Sequence, residues 1–119
     1  MTRRKTGPTQ PVVEMVLMRS GGNCEVMAGP SCLLSAHQIH HRRPRGMGGT
    51  RRASTNAPSA LLHVCWPCHG HIEANREKAL KNGWLVSQGD EPVEQSVLWR
   101  GRPVLLDDNG GRAEQKALW

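Results

Sequence analysis

The sequence contains no Phe and no Tyr, and four Trp are its only large aromatic side chains. The usual fillers of a small hydrophobic core are therefore missing, and the aliphatic supply is modest. A chain of 119 residues reads as one domain with a limited interior, so a further staple is expected. No stretch approaches the roughly 20 apolar residues of a membrane span. The N-terminus, Met1-Thr-Arg-Arg-Lys-Thr-Gly-Pro, is basic and lacks the apolar run of a secretory signal. The expectation is a cytoplasmic protein with no membrane partner, in a compartment where thiols stay reduced.

The charge is unevenly distributed. Residues 1–89 carry twelve Lys or Arg against four Glu, a net of +8, whereas residues 90–119 carry six acids against four bases, a net of −2. The basic part is also the part rich in Cys and His, and a polyanionic partner for it is the simplest reading.

Residues 1–10 read as a disordered basic arm. Pro11 through Arg19 carries Val12, Val13, Val16 and Leu17 at helical spacing, and Gly21-Gly22 stops the helix. Residues 33–41 (LLSAHQIHH) and 61–64 (LLHV) read as strands separated by an Arg-, Gly- and Ser-rich loop. Pro67 opens a helix running to about Asn82, which Gly83 caps. Trp84-Leu85-Val86 has the pattern of a short strand, and residues 96–106 that of a hairpin turning near Gly101. The fold class is α+β, with residues 11–86 forming the central domain and 87–119 a C-terminal hairpin extension and tail. Ile72, Ala79 and Leu80 are expected to face the core, with Trp66 and Trp84 covering it.

Cys65-x-x-Cys68 is a half-site for tetrahedral zinc, because two intervening residues let both thiolates reach one ion from a tight turn. Cys24 and Cys32, with seven residues between them, form a looser half-site that the Gly29-Pro30 turn can fold back. A structural zinc on all four would supply on the order of 10 kcal/mol of apparent binding energy. The alternatives are buried free thiols, a redox pair at Cys65 and Cys68, or a site that uses His69.

His40 and His41 close the first strand, Arg42, Arg43 and Arg45 follow at once, and His69 sits directly after Cys68. Adjacent residues on a regular strand point to opposite faces, so His40 and His41 serve one site only where the strand ends and the backbone bends. Neutral imidazole ligates metal, and an imidazole titrating near neutrality can take a proton from water. A divalent ion offsets the charge that grows on a phosphodiester under attack. The loop 42–52 holds five Arg (Arg42, Arg43, Arg45, Arg51 and Arg52) and no acid, a set suited to phosphate contacts. His37 and His63 lie within the strands and read as structural or surface residues, and His71 points away from His69.

These residues, IHHRRPRGMGGT (39–50) and NAPSALLHVCWPCHGHIEANREKALKNGWLV (56–86) with the upstream Cys24 and Cys32, resemble the HNH endonuclease family, in particular the small HNH proteins of actinobacterial tailed phages. The likeness covers roughly residues 19–86. It implies a ββα-metal (His-Me finger) domain with a four-cysteine zinc site. It also implies His40 as a metal ligand, His41 as the general base and His69 as a metal ligand from the helix. Glu73, one turn beyond His69, stands where some relatives have a ligand, and is a candidate third ligand or a support behind the ligands. The family's middle Asn falls at Ala60 here, and Asn56, four residues earlier, is the candidate to replace it. The implied cofactors are the structural Zn2+ and a catalytic divalent ion (Mg2+, Mn2+, Ni2+ or Zn2+). The implied partner is DNA, with no small-molecule substrate, in a phage setting beside a terminase and hence in the host cytoplasm. The function expected is metal-dependent DNA cleavage. The alternatives are a weak or inactive zinc-containing DNA-binding module, or a structural zinc module that binds protein.

Overall fold

The structure, a computed structural model, describes residues 7–44 and 53–114. Helix α1 spans Gln10–Ser20, with Pro11 in its first turn where a missing N–H costs nothing. Gly21 ends it in the left-handed region (φ 62°), and its N–H reaches the Leu17 carbonyl at 2.9 Å. The following segment folds back on itself: Ala36 N–H bonds the Gly22 carbonyl, and Cys24 N–H the Leu34 carbonyl. Strand β1 covers only Gln38–His41, not the expected 33–41. Leu34 has a positive φ of 69°, which no strand accepts, and residues 33–36 close the cysteine loop instead.

Strand β2 (Leu61–Val64) pairs antiparallel with β1, Gln38 opposite Val64 and His41 opposite Leu61. All four of its side chains are buried, so it reads as a continuous apolar run broken only by His63. Helix α2 (Trp66–Ala74) follows after a single residue. The anticipated single helix to Asn82 is in fact two. Asn75 leaves helical geometry (φ −131°, ψ 59°), and its side-chain amide caps the His71 carbonyl at 2.9 Å. Helix α3 (Arg76–Lys81) then follows as a separate element. Gly83 (φ 75°) is obligatory, since a Cβ there would lie 2.0 Å from the Ser96 carbonyl oxygen.

Trp84-Leu85-Val86 is buried but is not a strand. Its amides bond out to different elements, Leu85 to the Ala79 carbonyl and Val86 to the Arg42 carbonyl, so no ladder forms. Strands β3 (Val97–Trp99) and β4 (Arg102–Leu106) make the expected hairpin, turning on Arg100 and Gly101. A third strand, β5 (Arg112–Glu114), follows the Asp107–Gly111 turn and pairs with β4. Val97, Trp99, Val104 and Leu106 share one core cluster with Cys24, Leu62, Cys65, Ile72, Ala79 and Trp84. The C-terminal sheet is therefore part of the same interior. Trp66 and Leu80, expected to face inward, are 61% and 47% exposed.

Arginine takes over much of the work that aromatics do elsewhere. Fully buried Arg19 and Glu25 pair at 2.7 and 2.9 Å, and Arg19 also donates to the carbonyls of Pro58 and Leu61. The Glu25 carboxylate further accepts from the His63 amide (2.8 Å) and the Trp99 indole N–H (2.7 Å). Arg42 and Arg43 overturn the reading of them as phosphate contacts, because both side chains are fully buried. The Arg42 fork donates to the carbonyls of Gly83, Ser59, Pro92 and Gln95. Arg43 donates to Ser54 Oγ, Thr55 Oγ1, the Asp90 carbonyl and Glu91. The loops around them leave many carbonyls unpaired by any ladder, and a planar five-donor cation satisfies several at once.

Removing one partner of a buried pair leaves an uncompensated charge. Glu25→Gln keeps the shape and strands the Arg19 charge, so it is expected to cost about 3–5 kcal/mol. Chemical denaturation at constant total zinc checks this; a loss under about 1 kcal/mol would show that the network does not depend on the charge.

Candidate metal centres and the histidine pair

The four sulfurs of Cys24, Cys32, Cys65 and Cys68 lie within 4.8 Å of one another. Cys65 and Cys32 Sγ are 3.8 Å apart. That is the edge of a tetrahedron with metal–sulfur distances of about 2.3 Å, and far from the roughly 2.05 Å of a disulfide. The cluster can therefore hold a tetrahedral metal ion such as zinc, and all four cysteines are free thiols.

Backbone geometry supports the sulfurs. The amides of Met27, Leu34 and Ala28 approach the sulfurs of Cys24, Cys32 and Cys68 at 3.4–3.5 Å. Met27 (φ 48°) and Leu34 (φ 69°) are held in the left-handed region, a conformation that costs a non-glycine residue of order 1 kcal/mol or more. Both strained positions belong to the two loops that wrap the N-terminal cysteines. Burial raises the Cys68 and Cys32 thiols above their usual range. Burial also opposes ionisation of Cys65, but donors from the backbone and from the neighbouring thiols outweigh it and bring that thiol down to about 7. Crowded thiols resist becoming thiolates together, and a divalent cation at their centre removes that penalty.

A second group is built around His69, the residue after Cys68. One nitrogen each of His40 and His69 and a carboxylate oxygen of Glu73 fall within 4.8 Å of one another. The two imidazoles meet edge to face with centroids 5.1 Å apart. His69 therefore belongs with His40 and Glu73 and not with the cysteines. His40 Nε2 donates to the Trp84 carbonyl at 2.7 Å, which leaves the ring's lone pair on Nδ1. His69 Nδ1 bonds Gln38 Oε1 at 2.8 Å, which leaves its lone pair on Nε2. Each ring is thus held by one nitrogen and could offer the other to a metal ion, the usual way a metal-binding histidine is fixed. Burial drives the His40 pKa down to about 4, assisted by the charges of His69, His41 and Arg42, so the ring is neutral at pH 7 as ligation requires. Glu73 is exposed and shares its carboxylate with Arg76 at 3.2 Å.

His41 faces a different partner. Its Nε2 lies 2.8 Å from Asn56 Oδ1, across the loop. Asn56 sits in the short 3-10 turn Ala53–Asn56, and Ala60, the family's Asn position, is fully buried beneath the chain, its carbonyl accepting from the Arg42 amide. Arg42 follows His41 directly and is buried, with its pKa lowered to about 10 by desolvation and by the Arg19 charge. His63 is buried and bonded to Ser20 Oγ at 2.8 Å, and His37 is exposed. Arg45, Arg51 and Arg52 lie outside the described residues. Sequence reasoning missed Gln38 and the Trp84 carbonyl. A polar residue two before His40 on the same strand face was the available signal for Gln38; a backbone carbonyl leaves none.

Comparison with protein-family models, curated proteins and solved structures finds no match to this chain.

Two outcomes follow. The purified protein is expected to hold about one zinc per chain, and Cys65→Ser to lose both the metal and the cooperative fold. Elemental analysis showing no zinc would remove the four-sulfur assignment. Because Arg42 binds carbonyls of its own chain, Arg42→Ala is expected to destabilise the fold while leaving the salt slope of any DNA binding unchanged. A slope flattened by about one unit would put that guanidinium on phosphate.

Proposed function

We propose that this chain is a metal-dependent DNA endonuclease of the HNH type, with β1, β2 and α2 forming its ββα-metal unit. The observation that carries the reading is the convergence of His40, His69 and Glu73 next to a histidine, His41, that is oriented by Asn56. The resemblance in sequence places the same residues in the same roles, with Asn56 in place of the residue at position 60. The four cysteines hold a structural zinc.

Nδ1 of His40, Nε2 of His69 and the Glu73 carboxylate would hold a divalent ion. That ion, when bound, polarises the phosphate and offsets charge on the departing oxygen. His41 acts as the general base. With Nε2–H donated to Asn56 Oδ1, the ring's lone pair is on Nδ1, which takes a proton from water as the water oxygen forms its bond to phosphorus and the ester P–O bond breaks. Asn56 Oδ1 accepts an N–H from the neutral and the protonated ring alike, so the orienting bond survives the proton transfer.

The test is nicking of supercoiled plasmid with Mg2+, Mn2+ or Ni2+. His41→Ala is expected to lower the rate by roughly 10² to 10⁴ with zinc content and DNA binding intact. Asn56→Ala is expected to lower it by on the order of 10², the cost of a misplaced base. Ala60→Asn is expected to give no gain, since that position is sealed in the interior. Cleavage by wild type that both His41→Ala and Asn56→Ala retain in full would end the assignment of the base. Salt-dependent DNA binding with no cleavage under any metal would instead identify a non-catalytic zinc module.

A further inference from the structure

Among the described residues three Trp are present, and they are treated very differently. Trp84 and Trp99 are 2% and 6% exposed, whereas Trp66 is 61% exposed. In a chain with no Phe and no Tyr, leaving one of its few large aromatics outside the core is a costly arrangement. Trp66 is the first residue of α2 and follows the buried Cys65 directly. It therefore sits on a backbone held by the cysteine cluster.

Its place on the helix gives it a use. At about 100° per residue, His69 lies about 60° around the axis from Trp66, and Glu73 about 20°. The three residues fall within about 60° of one another around α2, while Cys68 and Ile72, further round the helix, are buried. Along the axis, His69 is about 4.5 Å and Glu73 about 10.5 Å beyond Trp66. A strand advances about 3.4 Å per nucleotide in a duplex and further when unstacked, so a phosphate on an ion held by His40, His69 and Glu73 would put a base one to three nucleotides away within reach of the indole. The nearness of the proposed phosphate site on the same helix favours a nucleic-acid strand over an apolar protein surface as the occupant of this face.

We infer that Trp66 is a stacking platform for an unpaired nucleobase of the strand whose phosphate would meet a divalent ion held by His40, His69 and Glu73. The inference rests on the nuclease reading and adds a substrate preference to it. An aromatic face takes any base, because every base offers a π surface. A base inside an intact duplex is already stacked, so single-stranded, nicked or distorted DNA binds better than intact duplex. Trp66 is a positioning residue in this scheme. It fixes the strand's register and takes no part in proton transfer.

The experiment uses the full chain carrying His41→Ala, with zinc bound and Mg2+ or Mn2+ added, and a short single-stranded oligonucleotide containing one 2-aminopurine, moved along the strand in successive probes. At one position or more the probe's fluorescence is expected to be quenched on binding. Trp66→Ala is expected to abolish that quench and to weaken binding roughly 5- to 150-fold, the range for one base–aromatic stack. Trp66→Phe is expected to keep most of both. Replacing the quenched nucleotide by an abasic one is expected to weaken binding by Trp66-containing protein and to add nothing in Trp66→Ala. Zinc content and circular dichroism confirm that the variants fold, which the exposure of Trp66 leads one to expect. Tight oligonucleotide binding with no difference between Trp66 and Trp66→Ala would overturn the platform and leave the nuclease reading standing. That result would reassign the exposed indole to a protein partner. No binding of DNA by any form would overturn both readings.

Discussion

The carboxylate of Glu25 is the interaction on which most of the molecule depends. It sits at zero exposure and receives two bonds from Arg19 on α1, one from the amide of His63 on β2 and one from the indole of Trp99 on β3. Its own backbone carbonyl accepts from the Arg100 amide in the turn of the C-terminal hairpin. One charged residue thus joins the N-terminal helix, the central hairpin and the C-terminal sheet. Glu25 is also the neighbour of Cys24, so the same point fixes where the first metal-binding loop begins. A buried ion pair is weak evidence for net stability; its value here is that only one arrangement of the elements satisfies all of its hydrogen bonds.

The arginines follow the same logic on a larger scale. The strands of β1, β2 and β3 are only three or four residues long, and 3-10 turns and irregular segments connect them. Such a chain presents many carbonyls that no ladder satisfies. Arg42 binds four of them, Arg19 two, and Arg100 three, those of Ser20, Asn23 and Cys24. Arg100 and Arg112 also flank the Trp99 ring, each 4.2 Å from its centroid. Guanidinium groups thereby close the interior that a set of Phe and Tyr would otherwise fill, and they do so by hydrogen bonding as much as by packing.

This explains what could and could not be read from the sequence. Paired cysteines declare themselves by spacing, and Cys24, Cys32, Cys65 and Cys68 come together; so do His40, His69 and Glu73, which the family resemblance and not spacing had singled out. Helix α1, the β3–β4 hairpin and the link between His41 and Asn56 were legible for similarly local reasons: a Gly-Gly stop, a Gly turn and a loop short enough to reach back. The Arg-rich loop was misread because composition cannot tell an arginine that faces phosphate from one that faces its own carbonyls. Arg42 and Arg43 look like an electrostatic patch and are core residues. The break at Asn75 was equally hidden, since the apolar pattern continues through it and only the side-chain cap on His71 ends the turn. Strand β5 has the sequence Arg112-Ala113-Glu114, which carries no β signal and forms because β4 offers an unpaired edge.

The two candidate centres are mechanically one device. Cys65 ends the β2 connection, Cys68 lies in the first turn of α2, and His69 is the next residue. A metal ion on the cysteines would therefore fix the start of α2 in both position and rotation. Rotation is the sensitive quantity. A turn of the helix by one residue, about 100°, would carry His69 away from His40 and bring Gly70 in its place. A nine-residue helix has little intrinsic stability of its own and buries only Cys68 and Ile72, too small an apolar face to specify rotation tightly. The sulfur cluster supplies that specification, while the Gln38 bond to His69 and the Trp84 bond to His40 refine it. A metal ion on the sulfurs would then govern the geometry of the histidine cluster directly, through one peptide bond, so the sparse core of this chain does not preclude placing those groups to within a fraction of an ångström.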